Sequence, residues 1–146
     1  MTLALIRPDS WNFPLFLHIL GATVLFGTIA TVAIAGFASR THAGYEGMLA
    51  RVAARTFLFG VIPSFILMRG AAQWIVGKEF PGNATTPGWV DVGFVVTEPG
   101  AVLLLITGIL IWLSARRGRL MLAVPVLAAI YVVALGVAWV AMSGKP

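Results

Sequence analysis

Four long runs of apolar residues alternate with short polar stretches along the chain, and this pattern predicts four membrane-spanning helices. Each run is close to the roughly 20 residues that a helix rising about 1.5 Å per residue needs to cross about 30 Å of hydrocarbon. The predicted helices cover about residues 13–37, 56–77, 92–114 and 121–142. The stretches between them are too short to form a soluble domain. The sequence therefore predicts one all-α integral membrane domain, residues 1–146, folded as an up-and-down bundle of four transmembrane helices.

Local signals add detail to the second and fourth helices. Arg51 and Arg55 are one helical turn apart just before the second apolar run, so they share a face of any helix formed there. We therefore expect a short amphipathic lead-in to the second helix. Pro63 and Pro125 lack the N–H that an interior helical residue donates, and they are expected to bend or loosen the second and fourth helices.

Composition agrees with a membrane protein. The chain is 60% hydrophobic and only 10% charged, whereas a soluble domain has about 25% charged residues. Cysteine is absent, which excludes disulfides, thiolate metal sites and thiol nucleophiles. The net charge of +5 would suggest a nucleic-acid partner in a soluble protein, but here the positive-inside rule explains it better. We expect membrane lipids as partners and no nucleic acid.

The basic residues are distributed unevenly between the two ends of the predicted bundle. Six of them lie in the two connections on one side and three lie on the other side. They are Arg40, Arg51, Arg55, Arg116, Arg117 and Arg119 on the first side, and Arg7, Lys78 and Lys145 on the second. Since basic connections are retained in the cytoplasm, both termini are predicted to lie outside it. A bacterial inner membrane is the expected location.

Ionisable residues inside the apolar runs occur at one common depth. His18, Arg69 and Glu98 lie on three different helices, each seven to nine residues from the polar or aromatic residue that marks the helix end. At about 1.5 Å per residue, all three are roughly 10 to 14 Å below the outer boundary. A charge at mid-membrane costs about 2.5 to 3.5 kcal/mol, so such residues usually face the bundle interior and have a partner. We therefore predict that Arg69 pairs with Glu98, with Gln73 one turn further along the same face as Arg69.

This layer of His18, Arg69, Gln73 and Glu98 has two interpretations. The structural one is a clamp in which the ion pair fixes two helices and His18 is a neutral, hydrogen-bonded imidazole. The functional one is a proton-linked or ligand-binding pocket open to the outer side. Haem is a further alternative, with His18 and a methionine such as Met68, or with His18 paired to another subunit. The expected cofactor and metal content is none, and no motif calls for an enzyme.

Three short stretches resemble a known family. They are "LHILGATVLFGT" (Leu17–Thr28), "AARTF" (Ala53–Phe57) and "LLLITGI" (Leu103–Ile109). They resemble a bacterial family of small predicted integral membrane proteins of unknown function, which is itself loosely similar to copper-resistance membrane proteins. The resemblance covers the first three helices, and it implies a membrane-embedded fold without established catalytic residues. It does not extend to copper ligands, because the chain has no cysteine and no cluster of His and Met.

The sequence is compatible with two functions. The leading one is an accessory or structural subunit of a larger membrane complex, such as a respiratory or photosynthetic assembly, with other integral membrane subunits as partners. The alternative is a small transport or binding protein. In that case the layer of His18, Arg69, Glu98 and Gln73 would handle a proton, a small anion or a quinone.

Overall fold

The computed structural model describes residues 12–80, 82 and 88–143, and these residues are almost entirely helical. The elements are α1 (Asn12–Thr41), α2 (Glu46–Thr56), a π-helical turn (Phe57–Val61), α3 (Ile62–Glu79), α4 (Gly88–Arg117) and α5 (Ala123–Ser143). No strand occurs in the described part of the chain. Arg7 and Lys145, two of the three basic residues assigned to the outer side, lie outside the described residues.

Four helical segments are long and apolar enough to span a membrane, which confirms the predicted number of helices. They are Asn12–Thr41, Glu46–Glu79, Val90–Arg117 and Ala123–Ser143. The second segment begins about ten residues before the predicted start, because α2, the π-helical turn and α3 form one continuous helix. The predicted amphipathic lead-in is α2, whose Arg51 and Arg55 are both exposed.

The two prolines behave differently. Pro63 is the second residue of α3, two positions after the end of the π-helical turn. A proline cannot donate to the preceding turn, and a widened π turn at this point is a typical adjustment of the helix. Pro125 is in the first turn of α5, where its missing N–H interrupts no bond within the helix. The reason for expecting Pro125 to bend or loosen the fourth helix, a hydrogen bond missing from the helix interior, does not apply at this position.

Helix α1 is central to the packing. It contacts α2, the π-helical turn and α3 on one side and α5 on the other, while α4 packs along α5 and against α2. The described parts of α3 and α4 share little backbone contact, and we refer to the line between them as the α3–α4 seam. The helix ends near Asn12, Glu79, Gly88 and Ser143 define the terminal side of the bundle. The opposite ends define the arginine side.

Glycines allow the closest helix contacts. A Cβ atom at Gly21 of α1 would lie 2.7 Å from the backbone nitrogen of Met68 in α3, so only glycine fits there without displacing the backbone. A Cβ atom at Gly100 of α4 would lie 2.5 Å from the ring of Tyr131 in α5. By contrast, Gly27 has no neighbour within 4 Å of such an atom. Some glycines of the bundle therefore lie at tight helix contacts, while others, such as Gly27, have open space around them.

Candidate functional site

The predicted contact between Arg69 and Glu98 is present. The guanidinium of Arg69 on α3 donates a hydrogen bond through Nη2 to Oε1 of Glu98 on α4, and the two groups form an ion pair. Gln73 lies one turn along α3 from Arg69. When its amide oxygen is turned towards Arg69, that oxygen accepts hydrogen bonds from Nη1 and, at 2.8 Å, from Nη2 of the guanidinium. These three residues form what we call the seam cluster.

An aromatic ring completes the surroundings of the arginine. The Cζ atom of Arg69 lies 5.0 Å from the centroid of the Phe94 ring. This distance is within the range of a cation–π interaction, which strengthens when water is excluded. Phe94 precedes Glu98 by one helical turn, so α4 offers a ring and a carboxylate on adjacent positions of one face. Sequence reasoning did not single out Phe94, although its spacing from Glu98 was a usable signal.

The seam cluster lies on the lateral surface of the bundle. The side chain of Arg69 is 23% exposed, that of Glu98 is 62% exposed, and Gln73 is exposed. The face of α4 that packs inward comprises Gly100, Leu104, Thr107, Ile111 and Ser114. Glu98 precedes the first of these by two residues, which places it on nearly the opposite side of the helix. The expectation that the charged pair faces the bundle interior is therefore wrong for Glu98.

His18 shares the depth of the cluster but has a different partner. Its Nδ1 atom lies 3.1 Å from the carbonyl oxygen of Met68, the residue before Arg69. A carbonyl can only accept, so Nδ1 carries the proton and donates it. In the described part of the chain, no hydrogen bond or ion pair joins His18 to Arg69 or Glu98. The structure thus joins Arg69, Gln73 and Glu98, and ties His18 to the backbone beside them.

The haem alternative with His18 and Met68 in one chain does not fit this geometry. His18 hydrogen-bonds the Met68 carbonyl at a place where α1 and α3 pack tightly, with Gly21 against the Met68 backbone. A porphyrin ring has no room between helices in backbone contact. Among the described residues, moreover, no group of three or more His, Cys, Asp or Glu side chains is placed to hold a metal ion.

The fold and the seam cluster define a class of protein: an α-helical bundle with four helices long and apolar enough to span a membrane and with an ion pair on its lateral surface. No protein-family model, curated protein or solved structure matches the chain. The family resemblance therefore stays a prediction. Functional proposals rest on the geometry of the chain itself.

Proposed function

We propose that the chain is an accessory subunit of a larger membrane assembly, in which another integral membrane subunit covers the seam cluster. The observation that carries this proposal is the exposure of Glu98, 62% of whose side chain is left uncovered by the bundle. Glu98 is ten residues inside α4, about 15 Å from the helix end on the terminal side. A carboxylate at this depth costs several kcal/mol when it faces lipid. A covering subunit removes that cost.

The chemistry of the cluster indicates what the covering surface must provide. Arg69 and Glu98 neutralise each other, so the partner needs no net charge at this point. In the described part of the chain, Glu98 accepts a hydrogen bond through one carboxylate oxygen, Oε1. A partner helix with a hydroxyl or amide donor would satisfy the other oxygen. Such polar contacts between transmembrane helices are each worth about 0.6 to 2 kcal/mol, which suits a specific lateral contact.

The first prediction tests this contact without breaking the ion pair. Val95 is 69% exposed and lies one turn from Glu98, so Val95→Trp should obstruct the covering surface. Val133 on α5 is 66% exposed, away from the seam, and Val133→Trp is the matched control. In native mass spectrometry after mild detergent extraction, the unmodified chain and the control should carry a larger protein at fixed ratio. Val95→Trp should lose most of it.

The competing proposal is a small transport or binding protein that uses the same cluster for a proton, a small anion or a quinone. The exposure of the carboxylate beside an arginine favours it, because a small ligand could reach both groups. This proposal expects a chain that runs alone or as a homo-oligomer and loses flux or binding in Glu98→Gln. If the purified chain behaves in that way and no larger protein accompanies it, the subunit proposal fails.

For location we propose a bacterial inner membrane with both termini on the outer side. The support is the arginine asymmetry: Arg40, Arg51, Arg55, Arg116, Arg117 and Arg119 all belong to the arginine side of the bundle. Retention of basic connections in the cytoplasm then places the terminal side outside.

The second prediction tests this orientation with single cysteines, which the chain allows because it has none of its own. Ala43 is exposed in the connection between α1 and α2, and Ser143 is exposed at the end of α5. In intact cells an impermeant thiol reagent should label Ser143→Cys and spare Ala43→Cys. Both should react equally after the membrane is permeabilised. The opposite labelling pattern in intact cells would invert the topology.

A further inference from the structure

Three arginines on the arginine side surround one cavity. Arg40 comes from the last turn of α1, Arg117 from the last turn of α4, and Arg119 from the connection that follows α4. The cavity has a volume of about 340 Å³ and is also lined by the apolar residues Leu120, Met121 and Leu122. Residues far apart in sequence therefore meet at the end of the bundle on the arginine side.

These three guanidinium groups lack counter-ions within the described part of the chain. Arg40, Arg117 and Arg119 are all exposed, and none of them forms an ion pair or a side-chain hydrogen bond there. The only acidic residue in the two connections and helix ends on this side is Glu46, at the start of α2. Three like charges around one cavity repel each other, so an anion that enters it is attracted by all three.

Other arginines on the same side are engaged differently. The guanidinium of Arg116 stacks on the Trp112 ring, with its Cζ atom 3.9 Å from the ring centroid. Arg51 donates from Nε to the carbonyl oxygen of Gly47 at 3.2 Å. Neither residue lines the cavity. The convergence of Arg40, Arg117 and Arg119 is therefore a local feature and not a property of every arginine on this side.

We propose that this cavity binds the phosphate headgroup of an anionic phospholipid. The guanidinium groups would hold the phosphate oxygens by charge-assisted hydrogen bonds. Leu120, Met121 and Leu122 supply an apolar wall for the glycerol and the beginning of the acyl chains, which a free phosphate ion does not need. The wall residues also precede the first turn of α5, whose helix dipole adds positive potential at the same place. Basic pockets between transmembrane helices are suited to anionic headgroups.

The binding test uses the full-length chain purified in detergent, with dioleoylphosphatidylglycerol as the anionic probe and dioleoylphosphatidylcholine as the zwitterionic reference. Lipid binding is measured by native mass spectrometry across a lipid titration. The anionic lipid should bind in preference to the zwitterionic one. Each arginine near a charged lipid surface contributes about fivefold to affinity, so Arg40→Gln with Arg119→Gln should weaken binding about 25-fold.

The matched control removes the same charge from the same side of the bundle. Arg51→Gln with Arg116→Gln leaves the cavity lining intact and should change binding by about twofold or less, because neither residue lines the cavity and each makes a contact elsewhere, with the Gly47 carbonyl and the Trp112 ring respectively. Circular dichroism should show unchanged helix content in both pairs, because all four side chains are exposed.

Three results would overturn the proposal. If both double variants lose anionic-lipid binding equally, only the overall surface charge attracts the lipid. Equal binding of the two lipids would mean that the cavity does not select an anionic headgroup. Displacement of the lipid by excess inorganic phosphate would identify a site for a free anion. The proposal is supported if three results are found together. The chain binds the anionic lipid in preference to the zwitterionic one, only the Arg40→Gln with Arg119→Gln variant loses this binding, and excess inorganic phosphate does not displace the lipid.

Discussion

Replacing Glu98 by glutamine is expected to destabilise the folded chain by about 3 kcal/mol, because it leaves the charge of Arg69 uncompensated in hydrocarbon. Arg69→Met should cost a similar amount by leaving the carboxylate alone. The double replacement should be nearly neutral, since an ion pair exchanged for uncharged side chains of similar size loses little. The loss of unfolding free energy in the double variant should therefore be smaller than the sum of the two single losses by more than about 3 kcal/mol.

This coupling is measured from the free energy of unfolding of the four proteins in one detergent. A control cycle combines Arg69→Met with Glu46→Gln, which lies on the arginine side, at the other end of the bundle. That cycle should be additive within about 0.5 kcal/mol. A coupling near zero for Arg69 and Glu98 would mean that their ion pair does not stabilise the folded chain. Arg69 would then rely on Gln73 and Phe94 alone.

The same cycle separates the structural interpretation from the functional one. If coupling is strong and both assembly and any activity survive the double replacement, the pair is a clamp between α3 and α4. If coupling is strong and the partner protein is lost in the double variant, the pair also forms part of the covering contact. Since little backbone packing joins α3 to α4, an ion pair at this seam would hold the two helices together.

The fold was largely predictable because hydrocarbon imposes a simple length rule on apolar segments. The four predicted helices match four observed spans, and the amphipathic lead-in was visible from Arg51 and Arg55. The π-helical turn at Phe57–Val61 was not predicted. Proline signals a missing hydrogen bond, but the sequence does not say whether the helix bends, widens or simply begins there.

The contents of the seam cluster were predictable, but its exposure was not. Counting residues from the helix ends gives the depth of Arg69 and Glu98, because the rise per residue is fixed. It does not give the order of helices around the bundle or the rotation of each one. In the structure, Gly100, Leu104, Thr107, Ile111 and Ser114 recur at helical spacing on the inward face of α4, and this rotation leaves Glu98 outside.

The hydrogen-bond partner of His18 could not be predicted from the sequence, for a different reason. Every residue carries a backbone carbonyl, so no sequence pattern marks the oxygen of Met68 as an acceptor. The accessible signal was Gly21, one turn after His18 on the same face of α1. Glycine at that position allows α3 to approach closely enough for the imidazole to reach its backbone.

Gly21→Ala is expected to destabilise the bundle by about 1 to 3 kcal/mol, the usual cost of an overpacked contact. The added Cβ atom would lie 2.7 Å from the nitrogen and 2.9 Å from the Cα atom of Met68, and these backbone atoms cannot rotate away. Gly27→Ala is the matched control on the same helix, because nothing lies within 4 Å of its added atom. It should be neutral or stabilise by up to about 1 kcal/mol through helix propensity. Both are compared by thermal unfolding in one detergent.

The glycine contact and the histidine hydrogen bond should depend on each other. If Gly21→Ala pushes α1 away from α3, the Nδ1 atom of His18 no longer reaches the carbonyl of Met68. The substitution His18→Ala should then cost about 0.5 to 1.5 kcal/mol less in the Gly21→Ala background than in the unmodified chain, because the hydrogen bond is already lost. Additive effects would show that His18 stabilises the bundle by packing alone. They would leave its imidazole available for the ligand-binding role that the competing proposal requires.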